Sequence, residues 1–278
     1  MDVPQVLLSL GYAPVVTNSD NIMMNAAQKV LKTFGQSSYR DLIEQLHSKT
    51  GMSENELIKN FSLFEDALKK STGIISSKII VDMIKEELIK HTHLKTINYK
   101  IDEIIEKVEE FGVYDFVINA SSFEHILVLY KDQETIDRIL SDFFSKRTQA
   151  PFGLISENPT KIKDIRNVTY DQLADKGKNN AIKKTIDWVM NVHSCNTSTS
   201  PTKIAGEDCT WYMRNDLATE HLKLESSFGS TPANKMTLLC GYNISKITPD
   251  ELELLLKSHS SVILQNKSLV LYKSSSKK

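Results

Sequence analysis

The last fifth of the chain constrains the fold most. Met236 to Tyr272, MTLLCGYNISKITPDELELLLKSHSSVILQNKSLVLY, spells strand, helix, strand and tight return. Met236–Tyr242 is short and almost wholly apolar, the pattern of a strand buried on both faces. Thr248-Pro249-Asp250-Glu251 is a helix start: Thr248 can cap, Pro249 has no N–H to lose in the first turn, and Glu251 completes a capping box. Leu252, Leu255 and Leu256 then supply an apolar face. Val262–Leu264 and Leu269–Tyr272 are two more strands, split by Gln-Asn-Lys-Ser. This is the edge of an α/β sheet.

At 278 residues the chain can hold one large or two modest domains. A net charge of −1 gives no global pull toward nucleic acid or an anionic membrane. No apolar run approaches the length of a membrane span. The opening MDVPQVLLSLGYAPVV lacks a basic n-region and carries Asp2, which argues against a secretory signal. Cys195, Cys209 and Cys240 are sparse, odd in number and without CxxC spacing. That usage fits buried thiols in a reducing cytoplasm, and the spacing matches no zinc site, so no metal is expected.

Residues 1–95 read as a helical bundle domain. Helices are predicted over Asn21–Phe34, over Ser37–Ser48, from the capping box Ser53-Glu-Asn-Glu56 through Ile58 and Phe61, over Leu63–Lys70, and over Ser77–Lys90 with Ile79, Ile80, Met83, Ile84 and Leu88 as its stripe. His91–Thr96 is a plausible boundary. Residues 96–118 read as a connecting segment, whose stretch 99–111 is a charged amphipathic helix that could join the two domains or pair with a second copy. From Phe123 the period changes. His125–Tyr130 and Phe152–Ile155 read as buried strands and Asn167–Tyr170 as a weaker one. Asp132 opens a helix with Ile136, Ile139, Leu140, Phe143 and Phe144 as its stripe, and Asn179–His193 is another helix. Ser194–Thr202 is a polar loop, Lys203–Met213 is read as extended, Asp216–Phe228 as helical, and the terminal Ser-Ser-Ser-Lys-Lys as a frayed tail. Alternating strands and helices over 119–278 imply a mostly parallel sheet covered on both faces.

The chain contains no GxxxxGK[ST], GxGxxG or GxSxG motif. The segments flanking the first strand lack the glycines that let backbone N–H groups approach a phosphate, which disfavours nucleotide hydrolysis and dinucleotide binding. Phe228-Gly-Ser-Thr-Pro reads as a plain turn. What remains is polar residues near predicted strand ends, where ligands gather in open α/β sheets: His125, Glu207 beside Gly206, Trp211 and Arg214, Glu225, Cys240 and Tyr242, and His259. Each has an ordinary alternative. His259 can serve the helix dipole, His125 can be a satisfied edge residue, Cys240 a small core residue, and Glu207 can pair with Arg214.

Residues 120–273 resemble the MEDS domain, a sensory domain of methanogens and methylotrophs. The similarity is carried by His125-Ile-Leu-Val-Leu-Tyr130, the Gly206-Glu207 turn with Trp211, Glu225, Leu239-Cys-Gly-Tyr242, and Glu251–His259 with Val262–Leu264. The sequence departs from that pattern at Ser194–Thr202, at Asp208-Cys209, and at Ser260, where the family has proline. The resemblance implies a RecA-like α/β fold without a phosphate loop, preceded here by an all-helical domain, and sensing of small organic molecules. The expected ligand-binding residues are His125, Tyr130, Glu207, Trp211, Arg214, Glu225, Cys240, Tyr242 and His259. The expectation is a cytoplasmic, non-catalytic regulatory protein with no cofactor, signalling through its helices to a protein partner or a second copy. The alternative is a DNA-binding regulator using those helices, although residues 1–95 carry 11 basic and 11 acidic residues. An enzyme using His125, Glu207 or Cys240 lacks motif-grade spacing.

Overall fold

A computed structural model describes residues 2–15, 19–90, 92, 94, 96–120, 124–146, 149–159, 162, 164–174, 180–228, 236–266 and 268–275. Of the expected features, the turn residues 229–232, the boundary residues 91, 93 and 95, and the tail residues 276–278 lie outside them. The chain divides into two compact units, one of residues 1–15 and 113–278, the other of residues 16–112.

In chain order the first unit opens with α1 (Val3–Ser9) and β1 (Tyr12–Pro14). The second contains α2 (Ser19–Lys32), α3 (Gln36–Thr50), α4 (Glu54–Lys59), α5 (Phe61–Thr72), α6 (Ile74–Ile89) and the first part of α7 (Ile101–Ile118). Its core joins Ala27 and Leu31, Leu46, Leu57 and Ile58, Phe64 and Leu68, Ile84 and Leu88, and Ile104. The expected third and fourth helices are α4 and α5, with the break at Asn60 instead of after Phe61. α4 stops at Asn60, whose side chain accepts from Leu63 N and starts α5, so Phe61 opens a helix instead of closing one. Ile79, expected in the buried stripe of α6, is exposed, as are Ile74 and Ile75.

The α/β unit continues with β2 (His125–Tyr130), α8 (Gln133–Phe143), β3 (Phe152–Ser156), β4 (Arg166–Thr169), α9 (Tyr170–Leu173), α10 (Ala181–Ser194), β5 (Thr202–Gly206), α11 (Thr210–Arg214), α12 (Ala218–Phe228), β6 (Met236–Asn243), α13 (Pro249–Ser258), β7 (Ser261–Gln265) and β8 (Leu269–Ser274). The strands form one sheet in the order β1-β8-β7-β2-β6-β5-β3-β4. From β7 to β4 every pairing is parallel, and β8 and β1 add antiparallel at one edge. The fold is therefore α/β, with a mostly parallel mixed sheet flanked by helices. Central strands are apolar on both faces because each face is covered. Leu127 and Leu129 point into one core with residues of α1 and α9–α13, while Ile126 and Val128 point into the other with α8 and Val113, Tyr114 and Val117 of α7. No helix among the described residues is long and apolar enough to cross a membrane.

Three boundaries differ from expectation. Residues 1–15 do not belong to the helical unit, because Tyr12–Pro14 pairs with Pro14 opposite Tyr272 on β8 and Val3 and Leu7 enter the sheet's core. The connecting segment 96–118 is no separate linker: Ile104 packs in the helical core and Val113–Val117 in the α/β core. The extended reading of Lys203–Met213 fails after Gly206, where the chain turns and Thr210–Arg214 forms α11. The polar loop before Thr202 is organised by Asn196, whose side chain donates to Ser200 O and Thr202 Oγ1.

Candidate functional site

Strand alternation and helix periodicity aim a set of polar side chains into one layer of the α/β unit. β2 begins at His125, two residues before Leu127 on the same face. β6 places Cys240 and Tyr242 there in the same way. On α12, His221 and Glu225 are spaced i, i+4 and share the buried face. α13 ends at His259, whose ring folds back over its own helix with Nδ1 2.7 Å from Leu255 O and 3.0 Å from Ser258 Oγ. Cys209 immediately precedes α11, with its backbone N–H donating to Gly241 O at 2.7 Å.

These groups converge on the carboxylate of Glu225. Its Oε1 accepts from Tyr242 OH at 2.9 Å and lies 3.2 Å from His221 Nε2. Its Oε2 lies 2.9 Å from His125 Nε2, 3.5 Å from His259 Nε2 and 3.7 Å from Cys240 Sγ. Cys240 Sγ is 3.5 Å from His125 Nε2, and the rings of His125 and His259 face each other with centroids 3.9 Å apart. Aromatic side chains complete the wall. Tyr212 stacks on His221 at 4.1 Å and donates to Thr185 Oγ1, which donates in turn to Ala181 O. Tyr170 OH reaches Cys209 Sγ at 3.8 Å.

The cluster is dry. His259 is 0%, Glu225 and His221 3% and His125 5% exposed. Burial works to raise the Glu225 carboxyl pKa, but hydrogen bonds and charge from His125 and His221 outweigh it and hold the group well below the ordinary carboxylate value. Burial likewise opposes protonation of His221, yet its contacts with Cys209 and Glu225 lift it to about 9. A hydrogen bond from Cys240 draws the Cys209 thiol down to about 7, while the same bond and burial push Cys240 up. Nδ1 of His125 and Nδ1 of His221 find no hydrogen-bond partner among the described residues. A cavity of about 50 Å³ touches Cys209, Tyr212, His221, Glu225 and Cys240. It admits an ion, water or a molecule of a few heavy atoms, far short of the roughly 300–1,000 Å³ of an ordinary ligand pocket.

Of the nine expected ligand residues, His125, Glu225, Cys240, Tyr242 and His259 meet here. Tyr130, Glu207, Trp211 and Arg214 do not. They lie at or near the carboxyl ends of the strands, where the chain supplies its own partners. Glu207 accepts from Gln133 Nε2 at 2.7 Å and Glu157 N at 3.2 Å. Arg214 pairs with Glu157 and with Asp208, which also holds Lys246 at 3.1 Å, so the alternative of a Glu207–Arg214 pair gives way to these. Tyr130 hydrogen-bonds Asp208, and Trp211 stacks on Tyr170 at 5.4 Å. The sheet reverses its winding between β2 and β6, where α/β sheets offer a ligand crevice. Here the Gly206–Cys209 turn folds across it, so close that a Cβ on Gly241 would collide with the Glu207 carbonyl. The converging groups instead sit under α12 and α13 on the face of the sheet.

Sequence reasoning missed His221 and Cys209. His221 left a signal, the i, i+4 spacing to Glu225 on one helix face. Cys209 left none, because only the turn after β5 brings it beside β6. A larger cavity, 530 Å³, lies in the helical unit against Leu31, Phe34, Leu42, Ile79 and Ile80, but it gathers no comparable set of reactive groups.

No family model matches this chain, and no curated protein matches it. Among solved structures, the cytoplasmic domain of EssC aligns over 62% of this chain at 10% identity with a TM-score of 0.33. This chain covers 47% of that structure's length.

Proposed function

We propose that the chain is a sensory or regulatory protein whose α/β unit, RecA-like and lacking a phosphate loop, responds to a small molecule received at the Glu225 cluster. One observation carries this reading: His125, His221, His259 and Cys240 converge on the buried Glu225 carboxylate, beside a small cavity that His221, Glu225, Cys209 and Cys240 line. Burying such groups costs several kcal/mol each unless they are mutually satisfied, so their concentration at one point marks a candidate functional site. Two further features support it. The β2–α8 turn, Lys131-Asp132, carries no glycine, and the side chain of Asp132 caps α8 where a phosphate would need backbone donors. The cavity's size limits any organic ligand to a few heavy atoms. Signalling requires that occupancy favour one state over another. Helix α7, which contributes residues to both units, is the element for such a bias to act on, with a protein partner or a second copy receiving it.

Thermal denaturation against a panel of one- to three-carbon compounds tests the reading. A ligand at one hundred times its Kd raises stability by about 2.7 kcal/mol. The shift is expected to vanish in Glu225→Gln, and hydrogen exchange of residues 101–118 is expected to change with it. No shift with any compound, in a chain shown to be folded, removes the proposal.

A further inference from the structure

We infer that the Glu225 cluster is a divalent metal site of the zinc class, ligated by His125 Nε2, His259 Nε2, Glu225 Oε2 and Cys240 Sγ. The inference rests on this cluster being the functional site and adds what it holds. The four atoms come from β2, β6, α12 and the end of α13 and lie within 4.8 Å of one another. A tetrahedral zinc with bonds of about 2.0–2.3 Å has ligand–ligand edges of roughly 3.3–3.6 Å. Here the edges are 3.5 Å from Cys240 to His125, 3.7 Å from Cys240 to Glu225, and 3.5 Å from His259 to Glu225. The His125–Glu225 edge, 2.9 Å, would open by a few tenths of an ångström.

The hydrogen bonds around His259 and Glu225 are those of a metal's supporting shell. Leu255 O can only accept, so His259 Nδ1 carries the proton and the lone pair of the neutral ring is on Nε2, facing a carboxylate oxygen. In that neutral form, a cation lying between the two would be coordinated by both. A ligating histidine that donates its other nitrogen to a backbone carbonyl is the usual second-shell arrangement. Glu225 is divided in the same sense, with Oε1 held by Tyr242 and His221 and Oε2 left toward the other three ligands. Charge also balances. Two neutral imidazoles, a carboxylate and a thiolate carry −2, matched by one divalent ion, and a coordinated thiol gives up its proton outright. Mixed N, O and S donors select zinc-like ions over magnesium or calcium. Four protein ligands close the coordination sphere, which suits a structural or regulatory ion that ties four elements together.

The test uses the full chain. After growth in zinc-supplemented medium and dialysis, mass spectrometry is expected to find one zinc per chain. Cobalt substitution is expected to give strong tetrahedral visible bands and a thiolate charge-transfer band. That band should disappear in Cys240→Ser and persist when both Cys195 and Cys209 are changed to Ser. If Cys240→Ser does not fold, the double variant, which leaves Cys240 as the sole thiol, decides by itself. Substoichiometric zinc, weak octahedral cobalt bands, or a charge-transfer band that follows Cys209 overturns the assignment. Repeating the small-molecule panel on chelator-treated protein separates the two ideas. Ligand shifts without any bound metal overturn this site and leave the sensory reading standing; stoichiometric zinc with no ligand shift supports the site and removes the sensory reading.

Discussion

Lys203 shows how one side chain can serve two helices. It enters from β5, is 4% exposed, and donates from Nζ to Phe143 O at 2.8 Å and Ile118 O at 3.0 Å. Those are the last residues of α8 and α7, so the ammonium meets the negative ends of both helix dipoles while lying over the Phe143 ring. Burial, with Lys146 nearby, still lowers its pKa from 10.5 to about 8. The unfolded chain therefore binds the extra proton between pH 8 and 10.5, and stability rises with pH across that window. Relative to Lys203→Met, the wild type is expected to gain on the order of 1–2 kcal/mol between pH 7 and 10, after discounting for solvent near the helix ends. Urea denaturation at both pH values measures it, and a constant difference would show that the two carbonyls fully compensate the charge. At this scale Lys203 in the sequence is only the start of a strand. Both acceptors are backbone atoms 60 or more positions away, and no side-chain pattern announces them.

Elements were far more legible than contacts, because caps and apolar periodicity are local. The box at Thr248 forms as written: its hydroxyl accepts from Glu251 N, while Glu251 accepts from Thr248 N at 2.7 Å. A third box, Thr169 with Gln172 beside those at Ser53 and Thr248, opens α9 and went unread because four residues of helix leave no periodicity to detect. The break between α4 and α5 was read, but placed after Phe61: Phe61 continues the apolar spacing of Leu57 and Ile58, and only the Asn60 cap fixes where α5 starts. Thr248→Ala is expected to cost about 1 kcal/mol. Because α13 ends in His259, the same change should also raise amide exchange across 249–259 in the native state. A loss of stability without that local effect would mean that packing of Leu252, Leu255 and Leu256, all essentially buried, holds the helix regardless of its cap.

Across the whole molecule, the N-terminal residues bear most directly on the site. β1 covers the outer edge of β8, and Tyr12 OH lies 2.6 Å from both Leu256 O and His259 O. Val3, Leu7 and Tyr12 are all buried. At about 1.5–3 kcal/mol for each large apolar side chain, removing residues 1–15 is expected to cost roughly 5 kcal/mol. It also uncovers a strand edge, which should make the chain associate with rising concentration. Thermal melting and size-exclusion chromatography of the truncated chain test this; an unchanged melting temperature would mean that the edge pairing contributes nothing.

The sequence by itself determined the α/β class, the covered parallel strands, the glycine-free turn after β2 and the polar residues worth watching. Each of these is written in spacing or in backbone chemistry over a few residues. Tertiary structure alone decided which of the watched residues meet. His125, Glu225, Cys240 and His259 span 134 positions, and their convergence follows from strand order, from α12 lying over β6, and from α13 ending beside β2. Local propensity carries no record of such long-range pairing, since the chain encodes it only through the summed burial of two cores on either side of the sheet.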